Sequence, residues 1–308
     1  MTKKLADKMT QATREGYVTV PGGKVWYKVV GAGDAVPLLT LHGGPGLGHD
    51  YLEPLEALAS DRPVVFFDQL GCGKSDRPDD VSLWRIERFV KEVAAVRKAL
   101  NLGRVHLFGH SWGGWLAIEY MMSKPSGIVS LNLASTSASL RQFVEETTRL
   151  KATLPQEVLD RLNRYEAVGD IHNPGYEEAM MAFYSRFVCR LDPWPEPLMR
   201  TLKNFMGSPV PYETIGPSIF TVTGNLKDWD RTNRLGEITV PTLITCGRYD
   251  EMGPACAETL HRGIPNSEMH IFEQSAHMAH LEETELYLQG VRSFLRPITI
   301  TGQGNPKG

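Results

Sequence analysis

Short apolar runs alternate with amphipathic stretches toward both ends of this chain. The apolar-rich segments 17–20 and 25–30 flank the turn residues 21–23, which predicts a β-hairpin. Other runs are too apolar to alternate and predict buried strands, at 37–41, 63–67, 105–108, 128–133, 242–246 and 269–272. Apolar residues at helical spacing predict a helix at 83–100, and the segments 51–59, 115–122 and 283–295 are also predicted to be helical. Strands that alternate with helices predict an α/β fold with a mostly parallel sheet flanked by helices.

The pattern changes in the middle of the chain. Amphipathic helical stretches are separated here by proline-rich breaks, of which 192–197 is the clearest, and no buried-strand run occurs. We therefore predict a helical lid (cap) formed by residues 136–237, inserted into a core that residues 1–135 and 238–308 form together. The polar tail 301–308 is expected to fray.

The pentapeptide Gly109-His110-Ser111-Trp112-Gly113 lies between a predicted strand and a predicted helix. A Gly-x-Ser-x-Gly motif in this context is typical of the nucleophile elbow of serine hydrolases. The two glycines allow a sharp turn that leaves the Ser111 hydroxyl exposed, and the Trp112 amide lies at the helix N-terminus, where it can bind an oxyanion. The alternative is a glycine-rich turn with an ordinary serine, and the flanking strand and helix argue against it.

A serine hydroxyl becomes nucleophilic at neutral pH only when a base removes its proton and a third group orients that base. In the fold that carries this elbow, the acid and the histidine follow the serine in that order, on loops after strands. Asp250 and His277 each follow a predicted strand. Glu251 is an alternative acid, and His280 is an alternative base that position alone does not exclude. A histidine base predicts activity that rises with an apparent pKa of roughly 6.5 to 7.5.

The segment His42-Gly43-Gly44-Pro45-Gly46 ends the predicted strand before it. It resembles the loop that supplies the second oxyanion-hole amide in this fold, because its glycines let the backbone approach a substrate. The alternative is a tight loop that binds no ligand. The loop is predicted at the same edge of the sheet as the serine, which favours the functional interpretation.

Composition narrows the class of protein. The net charge of −3 gives no electrostatic footprint for nucleic acid or an anionic membrane. No apolar run approaches the length of a membrane span, and residues 1–7 lack the apolar segment of a signal peptide. Cys72, Cys189, Cys246 and Cys256 have no CxxC spacing and are expected to be buried free thiols in a reducing compartment. We expect a cytoplasmic enzyme without nucleic-acid or membrane partners.

The motifs also indicate no metal and no cofactor. Gly73-Lys74-Ser75 looks like the end of a phosphate-binding loop, but Asp68 stands where that loop requires its first glycine. His277 and His280 lack the spacing of a helical zinc motif.

Together these motifs resemble the proline iminopeptidase family of α/β-hydrolases, which also contains amino-acid amidases. The matching segments cover nearly the whole chain and lie at 42–46, 68–75, 109–114, 216–217, 220–224, 227–230, 247–251 and 276–278. The resemblance implies the α/β-hydrolase fold, with Ser111 as nucleophile, Asp250 as orienting acid and His277 as base. It also implies that the oxyanion-hole amides belong to Gly44 and Trp112.

The chain departs from the family's pattern at one place, the site that binds the α-amino group of the substrate. The family binds the free α-amino group with two glutamates, one directly after the triad aspartate and one from the lid. Glu251 matches the first, but Ile219 stands where the lid glutamate is expected. Because an ammonium in a partly buried site needs charge-assisted hydrogen bonds, losing one carboxylate should weaken its binding by about 1–3 kcal/mol. An isoleucine there favours an uncharged or apolar group.

These observations predict a serine hydrolase that cleaves small amide bonds through an acyl-enzyme. By the resemblance, it releases N-terminal proline or a small amino acid from short peptides or amino-acid amides. The alternative is an amine-independent esterase, lactonase or N-acyl-amide hydrolase that uses the same triad; Glu251 favours the first function and Ile219 the second. The expected partner is a small-molecule or short-peptide substrate, and the sequence contains no signal for the oligomeric state.

Overall fold

The structure is a computed structural model that describes residues 13–301, without the side chains of residues 297 and 299–301. The expectations for residues 1–7 and for most of the tail, 302–308, lie outside the described residues. Within the described range, no helix is both long enough and apolar enough to cross a membrane.

One sheet of eight strands forms the centre of the fold. The strands are β1 Thr13–Val20, β2 Gly23–Val30, β3 Leu38–Leu41, β4 Val64–Phe67, β5 Val105–His110, β6 Ile128–Ala134, β7 Thr242–Gly247 and β8 Ser267–Phe272. Their order in the sheet is β1-β2-β4-β3-β5-β6-β7-β8. The β1–β2 hairpin and the β2–β4 pair are antiparallel, and all further pairs are parallel. The predicted hairpin and mostly parallel sheet are confirmed.

Helices cover the sheet and fill the middle of the chain. The α-helices are α1 Ile86–Ala99, α2 Trp112–Met122, α3 Leu140–Lys151, α4 Gln156–Ala167, α5 Pro174–Phe187, α6 Glu196–Phe205, α7 Val210–Thr214, α8 Gly253–Gly263, α9 Ala279–Glu282 and α10 Thr284–Thr301. The helix predicted at 51–59 is instead a 3-10 helix, Asp50–Ser60. Pro54 lies inside it and has no N–H, which disfavours α-helical bonding there.

Both faces of the central strands are buried, which explains why most positions in their sequences are apolar. Successive residues of β4 alternate between two apolar clusters on opposite faces of the sheet. Val65 and Phe67 join the cluster that includes α1 and α2, whereas Val64 and Phe66 join the cluster that includes α10. The parallel strands end at one edge of the sheet, where the loops after them carry the candidate site.

Between β6 and β7 the described chain forms α3 to α7 and the 3-10 helix Thr232–Glu237, and it adds no strand to the sheet. A third apolar cluster, which includes Leu162 and Phe183, lies within this segment. Ser139 and Asp230 form an isolated β-bridge, so the two ends of the segment lie side by side. The division of the chain at 136 and 237 stays a prediction.

The contact between α2 and the end of β3 leaves no room for a side chain at Gly113. A Cβ atom there would lie 2.0 Å from the carbonyl oxygen of Leu41. We predict that Gly113→Ala lowers the free energy of unfolding by about 3 kcal/mol or more, because main-chain atoms must move. Gly236→Ala is the matched control, since nothing lies within 4 Å of a Cβ at that position. It should change stability by less than about 1 kcal/mol in urea denaturation. Equal stability of the two variants would contradict the close contact.

Candidate active site

Ser111 lies at the sharp turn between β5 and α2 that the elbow motif predicts. Its φ of 56° and ψ of −123° are rare for a residue other than glycine, a strain of about 1–3 kcal/mol. The Ser111 N–H donates to the Ala134 carbonyl at 2.9 Å, and the Thr136 hydroxyl donates to the Ser111 carbonyl at 2.8 Å. The strained turn is therefore held by the end of β6.

Asp250 and His277, on the loops after β7 and β8, form a buried hydrogen-bonded pair. His277 Nδ1 lies 2.7 Å from Asp250 Oδ1, and the same oxygen accepts from the Met252 N–H at 2.9 Å. Because an ionised carboxylate only accepts, the proton lies on Nδ1, which leaves Nε2 as the nitrogen that can take up a proton. Glu251, the alternative acid, contacts the other side of the ring, with Oε1 3.7 Å from Nε2.

The structure also distinguishes His277 from His280, which their positions in the sequence do not. His280 Nε2 donates to the Tyr51 carbonyl at 3.1 Å, and burial lowers the pKa of His280 to about 3. His110, the residue before Ser111, donates from Nε2 to the His277 carbonyl at 3.0 Å, and the two rings lie 4.8 Å apart. The loops that carry Ser111 and His277 are therefore in direct contact, and the His280 ring lies 5.0 Å from that of His110.

Buried carboxylates shift the titration of His277. Burial opposes the charged imidazole, but Asp250, and after it Glu251, stabilises this form and raises the pKa of His277 to about 9. Burial raises the pKa of Glu251 to about 7, against the attraction of His277. The shift in His277 goes beyond the range of roughly 6.5 to 7.5 that a histidine base predicts from the sequence. The two carboxylates therefore favour the charged form of His277, and its neutral, basic form is reached at a higher pH than for an ordinary histidine.

Glu251 has an oxygen for which the described residues provide no partner. Its Oε2 is buried without a hydrogen bond to them, while its N–H donates to the Phe187 carbonyl at 3.0 Å. Buried polar groups are nearly always paired, so each exception requires an explanation. A cationic donor on a ligand would supply the missing hydrogen bond and balance the charge.

The loop at residues 42–46 and the start of α2 are joined by Gln69. The Gln69 side-chain amide donates to the His42 carbonyl at 2.9 Å, and its oxygen accepts from the Trp112 indole at 2.8 Å. As the first residue of α2, Trp112 has a main-chain N–H without an intrahelical acceptor. Trp112 and Gly44, predicted to supply the oxyanion-hole amides, thus belong to segments that one side chain connects. Gln69 lies in a motif of the resemblance, but the sequence does not indicate this role.

The C-terminal end of α5 is bonded to both loops that carry the Asp250–His277 pair. In addition to the Glu251–Phe187 hydrogen bond, the Met278 N–H donates to the Val188 carbonyl at 3.1 Å. Sequence reasoning missed these contacts, because main-chain groups have no residue-specific signature.

Ile219 contributes an apolar surface on the side of the inserted helices. It is half-buried and packs against the cluster that contains Phe183 and Phe187. Phe220 joins the same cluster, with its ring centre 5.1 Å from that of Phe183. Since the Phe187 carbonyl accepts from the Glu251 N–H, this apolar cluster borders the segment that carries Glu251.

Three side chains of the kind that bind metals, His49, Asp50 and Glu53, have ligand atoms within 4.8 Å of one another. Each has a protein partner. His49 Nδ1 lies 2.8 Å from Asp68 Oδ1, and Arg200 donates to Asp50 at 2.7 Å and to Glu53 at 2.6 Å. The cluster is an ion-pair network that docks α6 onto the 3-10 helix at 50–60.

Comparison with known proteins agrees with this fold. A family model for the alpha/beta hydrolase fold matches residues 36–284. A proline iminopeptidase of Heyndrickxia coagulans is 44% identical over 92% of this chain and 99% of its own length. One from Saccharolobus solfataricus is 41% identical over 91% of this chain and 92% of its own length. The crystal structure of a proline iminopeptidase from Mycobacterium smegmatis superposes with a TM-score of 0.87 at 35% identity, over 94% of this chain and all of that one. The chain is therefore a hydrolase and belongs to the proline iminopeptidase family of α/β-hydrolases.

Proposed function

We propose that this hydrolase cleaves small amide bonds through an acyl-enzyme and releases N-terminal proline or a small amino acid from short peptides or amino-acid amides. The observation that carries the proposal is the 2.7 Å contact between Asp250 and His277 beside the strained serine turn. Relatives named proline iminopeptidase, at 37–44% identity, support the same reaction. We assign Ser111 as the nucleophile, His277 as the base and Asp250 as the residue that orients the base.

In the acylation step, His277 Nε2 takes the hydroxyl proton while Ser111 Oγ attacks the substrate carbonyl carbon. The carbonyl oxygen becomes an oxyanion, to which the main-chain N–H groups of Gly44 and Trp112 donate. Asp250 accepts from Nδ1 and stabilises the imidazolium. The proton then passes from Nε2 to the leaving nitrogen, the C–N bond breaks, and the acyl group stays on the serine as an ester.

Water completes the cycle. His277 Nε2 removes a proton from the water molecule, whose oxygen attacks the ester carbonyl, and the same two amides hold the second oxyanion. The imidazolium returns its proton to Ser111 Oγ as the ester C–O bond breaks. The amino acid leaves with a new carboxyl group, and the enzyme returns to its starting state.

We assign Glu251 to the α-ammonium of the substrate. Its buried Oε2 has no hydrogen-bond partner among the described residues, and its Oε1 lies 3.7 Å from His277 Nε2. An ammonium at this place gains charge-assisted hydrogen bonds and balances the buried charge. Because the carboxylate lies beside the base, the amine that it binds is close to the scissile carbonyl. This geometry favours cleavage after the first residue.

We assign Ile219 to the wall of the side-chain subsite. It belongs with Phe220 to the apolar cluster that borders the Glu251 segment. The ring carbons of proline or the methyl group of alanine are buried favourably against such a surface. A single carboxylate binds the ammonium less tightly than a pair, by about 1–3 kcal/mol, which should be expressed mainly in KM.

The inserted segment, residues 136–237, is proposed to act as a lid that restricts the length of the substrate. The bonds from the end of α5 to the loops of Glu251 and His277 support this role, because they hold helical structure directly beside the site. A lid at this position favours an exopeptidase or amidase over an endoprotease.

A cytoplasmic location is also part of the proposal. It is supported by four unpaired, buried cysteines, at 72, 189, 246 and 256. Free buried thiols persist in a reducing compartment, whereas oxidising compartments favour disulfides.

The apolar surface at Ile219 favours a second candidate on the same triad. An amine-independent esterase, lactonase or N-acyl-amide hydrolase would place an acyl chain against this surface and leave Glu251 without an ionic partner. The two candidates differ in whether a free amine on the substrate increases the rate.

A substrate panel tests the proposed function. We predict that prolyl and alanyl arylamides are cleaved with a kcat/KM at least about 10-fold above that of their N-acylated forms, because only the free amines pair with Glu251. Ser111→Ala should lower kcat by at least about 10³-fold and abolish labelling by a fluorophosphonate, while its circular dichroism spectrum stays unchanged. A preference for N-acylated amides or for p-nitrophenyl esters would support the second candidate instead.

The pH dependence tests the coupling between Glu251 and His277. The base acts when neutral, so a raised pKa of His277 moves the acidic limb of kcat/KM to higher pH. We predict that Glu251→Gln moves this limb down by about one pH unit, since a negative charge beside the imidazole is removed. The substrate should be an ester without an amine, so that amine binding does not contribute. Glu273→Gln, at an exposed acid paired with Arg248, is the control and should leave the profile unchanged. An unshifted limb in Glu251→Gln would contradict the coupling.

A substitution in the lid tests the subsite. We predict that Ile219→Glu lowers KM for prolyl or alanyl arylamides about 10-fold, because it restores a second charge partner for the ammonium. Ile219→Gln, which adds polarity without charge, should not reproduce the gain. N-acylated and ester substrates, which offer no cation, should not benefit. Equal effects on amine and amine-free substrates would show that Ile219 does not face the amine subsite.

A further inference from the structure

In the loop after β3, the two consecutive peptide groups His42–Gly43 and Gly43–Gly44 have four polar groups, and side chains form hydrogen bonds with three of them. The His42 carbonyl accepts from Gln69 Nε2 at 2.9 Å, and the Gly43 N–H donates to the Tyr51 hydroxyl at 2.7 Å. The Gly43 carbonyl accepts from His42 Nδ1 at 3.0 Å. The fourth group, the Gly44 N–H, has no acceptor in the described part of the chain. It is also the group that the proposed mechanism requires in the oxyanion hole.

The chemistry of the partners determines the direction of each hydrogen bond. His42 Nε2 accepts from the Gln69 main-chain N–H at 2.9 Å, and burial lowers the pKa of His42, so the neutral ring carries its proton on Nδ1. His110 Nε2 faces a main-chain carbonyl and carries its proton there, so its Nδ1 accepts from the Tyr51 hydroxyl at 2.9 Å. The Tyr51 hydroxyl therefore accepts from Gly43 and donates to His110.

Because peptide groups are planar, these hydrogen bonds also determine the direction of the Gly44 N–H. The N–H and C=O of a trans peptide group lie in one plane and point in opposite directions. When the Gly43 carbonyl is bound to His42, the direction of the Gly44 N–H is determined as well. When the Gly43 N–H is bound to Tyr51, the preceding peptide group cannot turn toward the substrate. Of the two N–H groups in these peptide groups, the Gly44 N–H is then the one left for an oxyanion.

Tyr51 is itself held firmly. Its side chain is fully buried, its N–H donates to the Thr201 hydroxyl on α6 at 2.9 Å, and its carbonyl accepts from His280 at 3.1 Å. Arg200, the neighbour of Thr201, forms ion pairs with Asp50 on the same 3-10 helix as Tyr51. The position of the hydroxyl is thus set by the packing of α6 and the core, independently of any substrate.

We propose that Tyr51 is a positioning residue for the oxyanion hole, acting together with His42 and Gln69. Because the Gly43 N–H donates to the Tyr51 hydroxyl, it cannot also donate to the oxyanion. The same bond orients the loop so that the Gly44 N–H is the donor to the oxyanion. The inference rests on the proposed acyl-enzyme mechanism, but it does not depend on which acyl group is cleaved. Loss of the hydroxyl should weaken stabilisation of the oxyanion and leave ground-state binding unchanged.

Tyr51→Phe removes the hydroxyl alone. We expect kcat to fall about 10- to 100-fold on the best substrate of the panel, with KM unchanged within about twofold. The inhibition constant of the aldehyde that matches this substrate's acyl group, which forms a tetrahedral adduct with the serine, should rise by the same factor, while that of the matching carboxylic acid product should not change. For a prolyl substrate the pair is prolyl aldehyde and proline. Tyr287→Phe is the matched control, because it removes another buried hydroxyl, bonded to Thr245 at 3.1 Å. All of these constants should stay within about twofold of the wild type in this control.

Gln69→Met provides an independent variant should Tyr51→Phe fail to fold. It should reproduce the loss in kcat, and the double variant should lose less than the product of the single losses, because both changes act on one loop. A kcat equal to that of the wild type in folded Tyr51→Phe would overturn the proposal. If only Gln69→Met can be measured, the same result in folded Gln69→Met would overturn it. Equal weakening of the binding of the aldehyde and of the carboxylic acid product would overturn it too. Failure of the acyl-enzyme mechanism itself would appear separately, as activity or labelling that persists in Ser111→Ala.

Discussion

The close approach of α2 to the end of β3 is the constraint on which the candidate site depends. Only a glycine fits at Gly113, because a Cβ would lie 2.0 Å from the Leu41 carbonyl oxygen. This contact brings the first turn of α2, with the Trp112 amide, beside the loop that carries the Gly44 amide. In the proposed mechanism, two donors from distant parts of the sequence then face one oxyanion, with Ser111 at the turn between β5 and α2. A wider spacing would separate these proposed donors from Ser111.

A second constraint is electrostatic, since two carboxylates lie buried beside one imidazole. The pKa of Glu251 rises from 4.5 to about 7 on burial. A group whose pKa is higher in the folded state favours folding at low pH, and this contribution is lost as the pH rises through 7. At alkaline pH the ionised Glu251 therefore opposes folding, while the attraction of His277 offsets part of this effect as long as the imidazole is charged. Such a cost to stability is typical of a residue retained for binding.

The sheet could be predicted from the sequence almost strand by strand, because a strand buried on both faces is apolar at most positions. The positions of Ser111, Asp250 and His277 after strands of the sheet could also be predicted, since their motifs directly follow such strands, while their catalytic roles stay a proposal. The 3-10 helix could not, because its apolar residues also fit an α-helical spacing and only the local effect of Pro54 separates the two. Similarly, His277 and His280 lie one helical turn apart, and only their partners, Asp250 and the Tyr51 carbonyl, distinguish them.

By itself, the sequence thus determined the local features: which segments are buried strands, where the chain turns sharply, and which reactive side chains follow the strands. The tertiary structure alone decided which distant groups meet. Tyr51 reaches His110 across 59 positions and His280 across 229, and main-chain groups at the end of α5 bind the Glu251 segment. Periodicity and motifs report the geometry of neighbouring residues, whereas these hydrogen bonds depend on how layers of helix and sheet pack. The hydrogen bonds that hold the loop around Gly43 are therefore a property of the packed fold.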